Sequence, residues 1–196
     1  MAHQRLTVYD WSASVSQLKL DSGLLVLALR TSPNITRTEA RLQIRIALQE
    51  ALALLLACSS AEIELLSQPG HALKLLNPKL NVGLSVSHEI GLSLAAININ
   101  GALGIDLMSL SSTPASNEIQ TLATDYLGNE IAQQIAGAPT NRQANDFTKA
   151  WTAFEARLKC GGEVLAEWNE ATEKRLAQYR CRDLILPDGY IGTVAF

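Results

Sequence analysis

Apolar and polar positions recur at two different periods along the chain, and each change of period marks an element. Residues 23–30 are a Leu- and Val-rich run that predicts a buried strand. Residues 36–58 follow with strong helix formers and neither Gly nor Pro. Thr36 and Glu39 stand at capping-box spacing, where each side chain satisfies a backbone N–H near the helix start. Within this helix Leu42, Ile46 and Ala53 fall on a helical period. Arg37, Arg41 and Arg45 form a second stripe at four-residue spacing.

The next stretch turns to period two. Ile63 and Leu65 alternate with Glu62 and Glu64, and Gln68-Pro69-Gly70 marks a turn. Val82, Leu84 and Val86 alternate with small or polar neighbours and lead to His88. Residues 92–99 predict another strand. Asn100-Gly101 has the form of a type I′ turn, and residues 102–107 are expected to return as the hairpin partner. Residues 109–116, rich in Ser with one Pro, are the candidate linker between two halves, 1–108 and 109–196. Beyond it, helices are expected over 117–127 and 143–159, the second closed by Gly161-Gly162, with a further helical segment within 163–178. Residues 182–186 and 190–196 read as a hairpin around Pro187-Asp188-Gly189. The pattern is α+β with antiparallel hairpins. It lacks the glycine-rich phosphate loops of the common parallel nucleotide folds.

Composition narrows the function classes. Of 196 residues, 47% are hydrophobic and 18% charged, which is a globular balance. A net charge of −3 argues against a general nucleic-acid binder. Cys58, Cys160 and Cys181 are widely spaced, with no C-x-x-C pair, so neither a disulfide framework nor a zinc site is expected. Free thiols point to a reducing compartment. The most apolar run, 51–58, is far too short to span a bilayer, and residues 1–11 lack the apolar core of a secretory signal. The expectation is a cytoplasmic protein without a membrane or nucleic-acid partner.

Three features carry candidate chemistry. Ser85-Val86-Ser87-His88 ends a strand, so His88 is either a capping or core residue or a donor to a phosphate in a cleft. Asp106 lies between Ile105 and Leu107, with its side chain on the opposite face of the strand. It is either an edge-strand acid facing water or a ligand for a hard cation. Trp151, Glu155 and Lys159 are spaced four apart on one helix face, which suggests a face that packs at one end and presents charge at the other.

Taken in order, these stretches resemble the two signature blocks of the 4′-phosphopantetheinyl transferase superfamily. The family's first block reads G-K-P, then a strand ending S-x-S-H, then G-I-D-x-E. This chain has Gly70-His71-Ala72, then Ser85-Val86-Ser87-His88, then Gly104-Ile105-Asp106-Leu107-Met108. The second block reads W-x-x-K-E-A-x-x-K, and here Trp151, Phe154-Glu155-Ala156 and Lys159 stand in that pattern. The size is similar to the larger, surfactin-synthetase type. That resemblance implies two similar α/β halves with antiparallel sheets, related by a pseudo-twofold within a monomer, and an active site in the cleft between them.

The resemblance also implies coenzyme A as substrate, Mg²⁺ as cofactor and an acyl or peptidyl carrier protein as partner. Asp106 and Glu155 would be the metal ligands, and Asp106, Glu155 and Lys159 the catalytic residues. His88, Ser87, Lys159, Arg37 and Arg41 would bind coenzyme A. Arg45 continues that arginine stripe, which reads equally as a solvated helix face. Three polar positions of the pattern are altered: the third acidic ligand falls on Met108, and two lysines fall on Phe154 and His71. Ala72 replaces the proline. Mg²⁺ needs only one or two protein carboxylates when phosphates and water complete its shell. The alternative is a catalytically weakened member that binds coenzyme A or a carrier protein without efficient transfer. A structural or interaction protein with no small-molecule site is the third reading.

Overall fold

The computed structural model describes residues 5–11, 18–68 and 72–196. Pro69, Gly70 and His71, and with them the expected turn and part of the first signature block, lie outside the described residues. Strand β1 (Tyr9–Asp10) is followed by β2 (Leu24–Arg30), whose first five residues are all buried. Helix α1 (Arg37–Leu56) starts at the capping box read from the sequence. The Thr36 hydroxyl accepts from the Glu39 amide, and the Glu39 carboxylate accepts from the Thr36 amide at 2.9 Å. Its core stripe is Ala40, Ile44, Ala47, Leu48, Ala51 and Leu52, joined by Ala53. Leu42 and Ile46 are exposed on the other side, so of the three apolar positions singled out in the sequence only Ala53 is in the core.

After a 3₁₀ turn at Ser60–Glu62 come β3 (Glu64–Leu66), β4 (Lys74–Asn77), β5 (Gly83–Glu89), β6 (Leu92–Asn98) and β7 (Gly104–Ser109). Helix α2 (Ser116–Leu122) runs into a π-helical turn at Ala123–Leu127, then α3 (Asn129–Gly137), α4 (Thr140–Gly161) and α5 (Glu170–Leu176). The chain closes with β8 (Cys181–Asp183) and β9 (Tyr190–Ala195). The described residues form an α+β architecture with three sheets, ordered β1-β2-β6-β5, β3-β4 and β7-β9-β8. Apart from the parallel β1–β2 pair, the ladders are antiparallel.

The hairpin expected between residues 92–99 and 102–107 does not form. Both edges of β6 are already taken, by β2 and β5, so β7 has no ladder to join there. It crosses to the other sheet and pairs with β9, placing Asp106 opposite Thr193. The C-terminal hairpin does form, with Asp183 also opposite Thr193.

Two cores follow from this arrangement. One face of the β1-β2-β6-β5 sheet packs Leu25, Leu27, Leu84 and Ile97 against α1. The other face packs Leu24, Val26, Leu94 and Ala96 against Ile105, Leu107 and Val194 of the β7-β9-β8 sheet. Strand β6 is therefore buried along its whole length, which explains a run without strict polar alternation. A third cluster gathers α2, α3, α5 and one side of α4 around Phe147, Phe154 and Leu158. Among the described residues no helix is long and apolar enough to cross a membrane.

Candidate active site

Alternation along β7 sets the site. Ile105 and Leu107 enter the inter-sheet core, so Asp106 and Met108 point the other way, toward α4 and a cavity of about 940 Å³. Gly104 lets the strand come close to the helix. A Cβ there would run into the Ala156 carbonyl oxygen and lie 2.5 Å from the Cys160 amide nitrogen. Helix α4 is also fastened to the same sheet through Thr152 and Thr193, whose buried hydroxyls are 3.1 Å apart. It ends where the sequence places its stop. Gly162 is left-handed (φ 66°), and its N–H reaches the Leu158 and Lys159 carbonyls.

Trp151, Glu155 and Lys159, four apart on α4, all line the cavity, together with Asp106. Lys159 Nζ is 2.6 Å from Asp106 Oδ1 and donates to the Ile105 carbonyl at 3.1 Å. Burial, followed by the charge of Asp106, raises the Glu155 carboxyl above its ordinary range, and Lys159 opposes that shift. Asp106 and Glu155 are two of the acids lining the cavity, near enough that the charge of Asp106 is felt at Glu155, while Lys159 offsets it. They are as many protein carboxylates as a Mg²⁺ bound with phosphate oxygens requires. Met108 lines the same wall, and its thioether is too soft to serve such an ion. Among the described residues no group of three or more His, Cys, Asp or Glu side chains assembles a cation cage. Asp106 and Glu155 are the side chains of this face that could hold a hard cation.

The cavity also has a basic lining. Arg37, Arg41 and Arg45 of α1 line the cavity, so the arginine stripe faces inward at this end. Arg45 Nη2 donates to Ser67 Oγ at 2.6 Å, while its Nε is buried without a partner among the described residues. His88 at the end of β5 lines the same space. Its Nδ1 is 3.0 Å from the Ser93 hydroxyl, and its buried Nε2 has no partner among the described residues. Burial lowers the His88 pKa to about 4, reinforced by Arg41, Arg37, Lys159 and Arg45. In the free protein the imidazole is therefore neutral at pH 7. In the tautomer whose Nδ1 accepts from the Ser93 hydroxyl, Nε2 carries the proton and can donate.

Ser85 and Ser87 have a role that strand reading alone misses. Ser85 Oγ accepts from the Ile105 amide at 3.1 Å, and Ser87 Oγ donates to Asp106 Oδ1 at 3.1 Å. The two hydroxyls tie β5 to β7 across sheets that share no ladder. Ser87, expected at a phosphate, directs its hydroxyl proton toward Asp106 Oδ1. The signal is two serines at period two, alternating with Leu84 and Val86. Phe154, where the pattern has a lysine, is buried in the helical core. Ala72 lines the cavity. Val164 and Leu165, exposed apolar residues just past α4, also line it, and no sequence signal singled them out. Next to them Glu163 is held by Arg175 through two hydrogen bonds of 2.9 and 2.8 Å.

No protein-family model matches the chain. The chain is similar to the 4′-phosphopantetheinyl transferase HetI of Nostoc sp. (strain PCC 7120), at 29% identity over 86 residues. That alignment covers 44% of this chain and 35% of the relative, so it spans about a third of the relative's length. The likeness supports a relationship to phosphopantetheinyl transferases at the level of the superfamily.

Proposed function

We propose that the chain transfers the 4′-phosphopantetheine arm of coenzyme A to a serine of an acyl or peptidyl carrier protein, releasing 3′,5′-ADP. One observation carries the reading. Asp106 on β7 and Glu155 and Lys159 on α4 share a single cavity with His88, Arg37, Arg41 and Arg45. A polyanion with a diphosphate and a further phosphate matches a cavity that offers several cations together with carboxylates for a metal ion.

In this reading Asp106 and Glu155 would hold Mg²⁺, with the diphosphate of coenzyme A supplying further oxygen ligands. Bound there, the ion would supply Lewis-acid stabilisation of charge on the leaving phosphate. Lys159 pairs with the diphosphate as a point charge. His88 donates from Nε2 to the 3′-phosphate, with Arg37, Arg41 and Arg45 neutralising the remaining charge. Ser87 keeps the Asp106 carboxylate in place. The carrier serine oxygen attacks the phosphorus that bears the pantetheine arm. Its proton passes to Glu155, directly or through a water. The bond from that phosphorus to the bridging oxygen breaks, and its electron pair leaves on 3′,5′-ADP. Positioning and charge neutralisation do most of the work in such a transfer.

The finer architecture belongs to the same proposal: a monomer of the surfactin-synthetase type, with halves 1–108 and 109–196 related by a pseudo-twofold. Its setting would be the cytoplasm. A second reading has a specific basis. Met108 occupies the wall where a third acid would stand, and Phe154 is buried where a lysine would face phosphate. These favour a weakened homologue that binds without efficient transfer. Incubation with coenzyme A, Mg²⁺ and several apo carrier proteins, read by intact mass, separates the two. A carrier gaining the mass of phosphopantetheine supports the transferase. Coenzyme A binding without a mass change supports the weakened homologue.

A further inference from the structure

Lys159 reaches two oxygens of β7, Asp106 Oδ1 at 2.6 Å and the Ile105 carbonyl at 3.1 Å. Asp106 Oδ1 also accepts from Ser87 at 3.1 Å. The side chains are 33% and 12% exposed, so the pair is only partly screened by water. Short charge-assisted bonds of this kind are among the stronger polar interactions. A divalent cation arriving alone therefore meets a carboxylate already neutralised, and an ammonium that repels it. An anionic diphosphate changes both conditions, because it offers the ammonium another partner and adds oxygen ligands of its own.

We propose that Lys159 is a built-in counter-cation that makes uptake of the divalent ion conditional on the diphosphate. In the free protein Lys159 holds Asp106. When the diphosphate enters, the ammonium turns to it and the carboxylate becomes available. The inference rests on the coenzyme A and Mg²⁺ reading above and adds an order to it: diphosphate first or together, cation never efficiently alone. Linkage makes the effect reciprocal, so the cation tightens the diphosphate by the same factor as the diphosphate tightens the cation.

The test is binding rather than turnover. Mn²⁺ is titrated into the full chain, with and without coenzyme A, and the free ion is read by its electron paramagnetic resonance signal. Wild type should bind Mn²⁺ weakly alone and more tightly with coenzyme A. Lys159→Met, which keeps the aliphatic stem, should bind Mn²⁺ alone more tightly than wild type, on the order of five- to a hundredfold. It should also lose part of the coupling to coenzyme A. Lys159→Gln serves as a second variant should Lys159→Met fail to fold, as judged by circular dichroism. If the folded variant binds Mn²⁺ alone no more tightly than wild type, while wild type binds it with coenzyme A, the inference fails and the functional reading stands. Equal Mn²⁺ affinity of wild type with and without coenzyme A overturns the inference even without a variant. If neither protein binds Mn²⁺ under any of these conditions, the inference and the metal site both fall.

Discussion

Ser87 Oγ donates to Asp106 Oδ1 across 3.1 Å, joining two strands that belong to different sheets. Both side chains are buried. Removing the hydroxyl takes a donor from a charged, poorly solvated acceptor, a change that costs roughly 1.5–3 kcal/mol. Ser87→Ala should therefore lower stability by about that much in urea denaturation and slow carrier loading. Asp106→Ala should abolish loading while the chain stays folded, because the half-exposed Lys159 can turn to water. A Ser87→Ala protein matching wild type in both stability and loading would remove the bridge from the mechanism.

His88 makes a prediction about pH. Burial and the neighbouring Arg41, Arg37, Lys159 and Arg45 lower its pKa from 6.5 to about 4. As pH falls through 6.5 the unfolded chain takes up the proton first, so the folded state loses stability between 6.5 and about 4. Above 6.5 that contribution is fully present. His88→Gln should flatten this part of the stability profile. An NMR titration of the imidazole should give a midpoint near 4, and coenzyme A should raise it by adding negative charge. A midpoint near 6.5 in the free protein would contradict the burial and the basic surroundings described here.

What could be read beforehand depended on how local the cause was. The Thr36–Glu39 cap and the Gly162 stop are set within a few residues, so the start of α1 and the end of α4 were legible. Asp106, Glu155, Lys159 and His88 could be singled out because spacing and pattern marked them. The partner of β7 was not legible, since it depends on β6 having no free edge, a fact of the assembled sheet. The exposure of Leu42 and Ile46 has the same origin: only the docked sheet decides which apolar stripe of α1 is covered. Helix α3 escaped because it is nine residues long and starts at Gly128 with no side-chain cap. The Ser85 and Ser87 bridges link residues about twenty apart, and their purpose appears only once β7 lies across β5.

Trp151 stacks on Phe147 with ring centroids 5.5 Å apart, and meets Tyr126 and Phe154 edge-on at 5.7 and 6.3 Å. It is half-buried, because one side lines the cavity. A fully buried aromatic ring lost to alanine costs about 3–5 kcal/mol, so Trp151→Ala should fall at or below the low end, at roughly 2–3 kcal/mol. Trp151→Phe should recover most of the stability by keeping the stack. The shared wall also means that coenzyme A should change Trp151 fluorescence. Ligand binding with no change in the emission difference between wild type and Trp151→Phe would place the ligand elsewhere.

Gly104→Ala tests whether the close approach of β7 to α4 sets the site. The backbone angle at Gly104 is not left-handed, so an alanine is strained there only by what its Cβ meets. It meets the Ala156 carbonyl oxygen, the Cys160 amide nitrogen at 2.5 Å and Lys159 Cβ at 2.9 Å. Two of these are backbone and cannot swing aside, so α4 itself must retreat. Ordinary overpacking costs about 1–3 kcal/mol, and a backbone obstacle should put this substitution at or above the top of that range. Because Glu155 and Lys159 ride on α4, the retreat should also stretch the 2.6 Å Lys159–Asp106 pair and cut carrier loading more than the loss of stability alone accounts for. Gly137→Ala is the matched control. It has open space around the added carbon and no positive φ, so it should shift stability by less than about 1 kcal/mol and leave loading unchanged. If Gly104→Ala behaved like Gly137→Ala in both measurements, the spacing between strand and helix would not be what holds these three charged groups together.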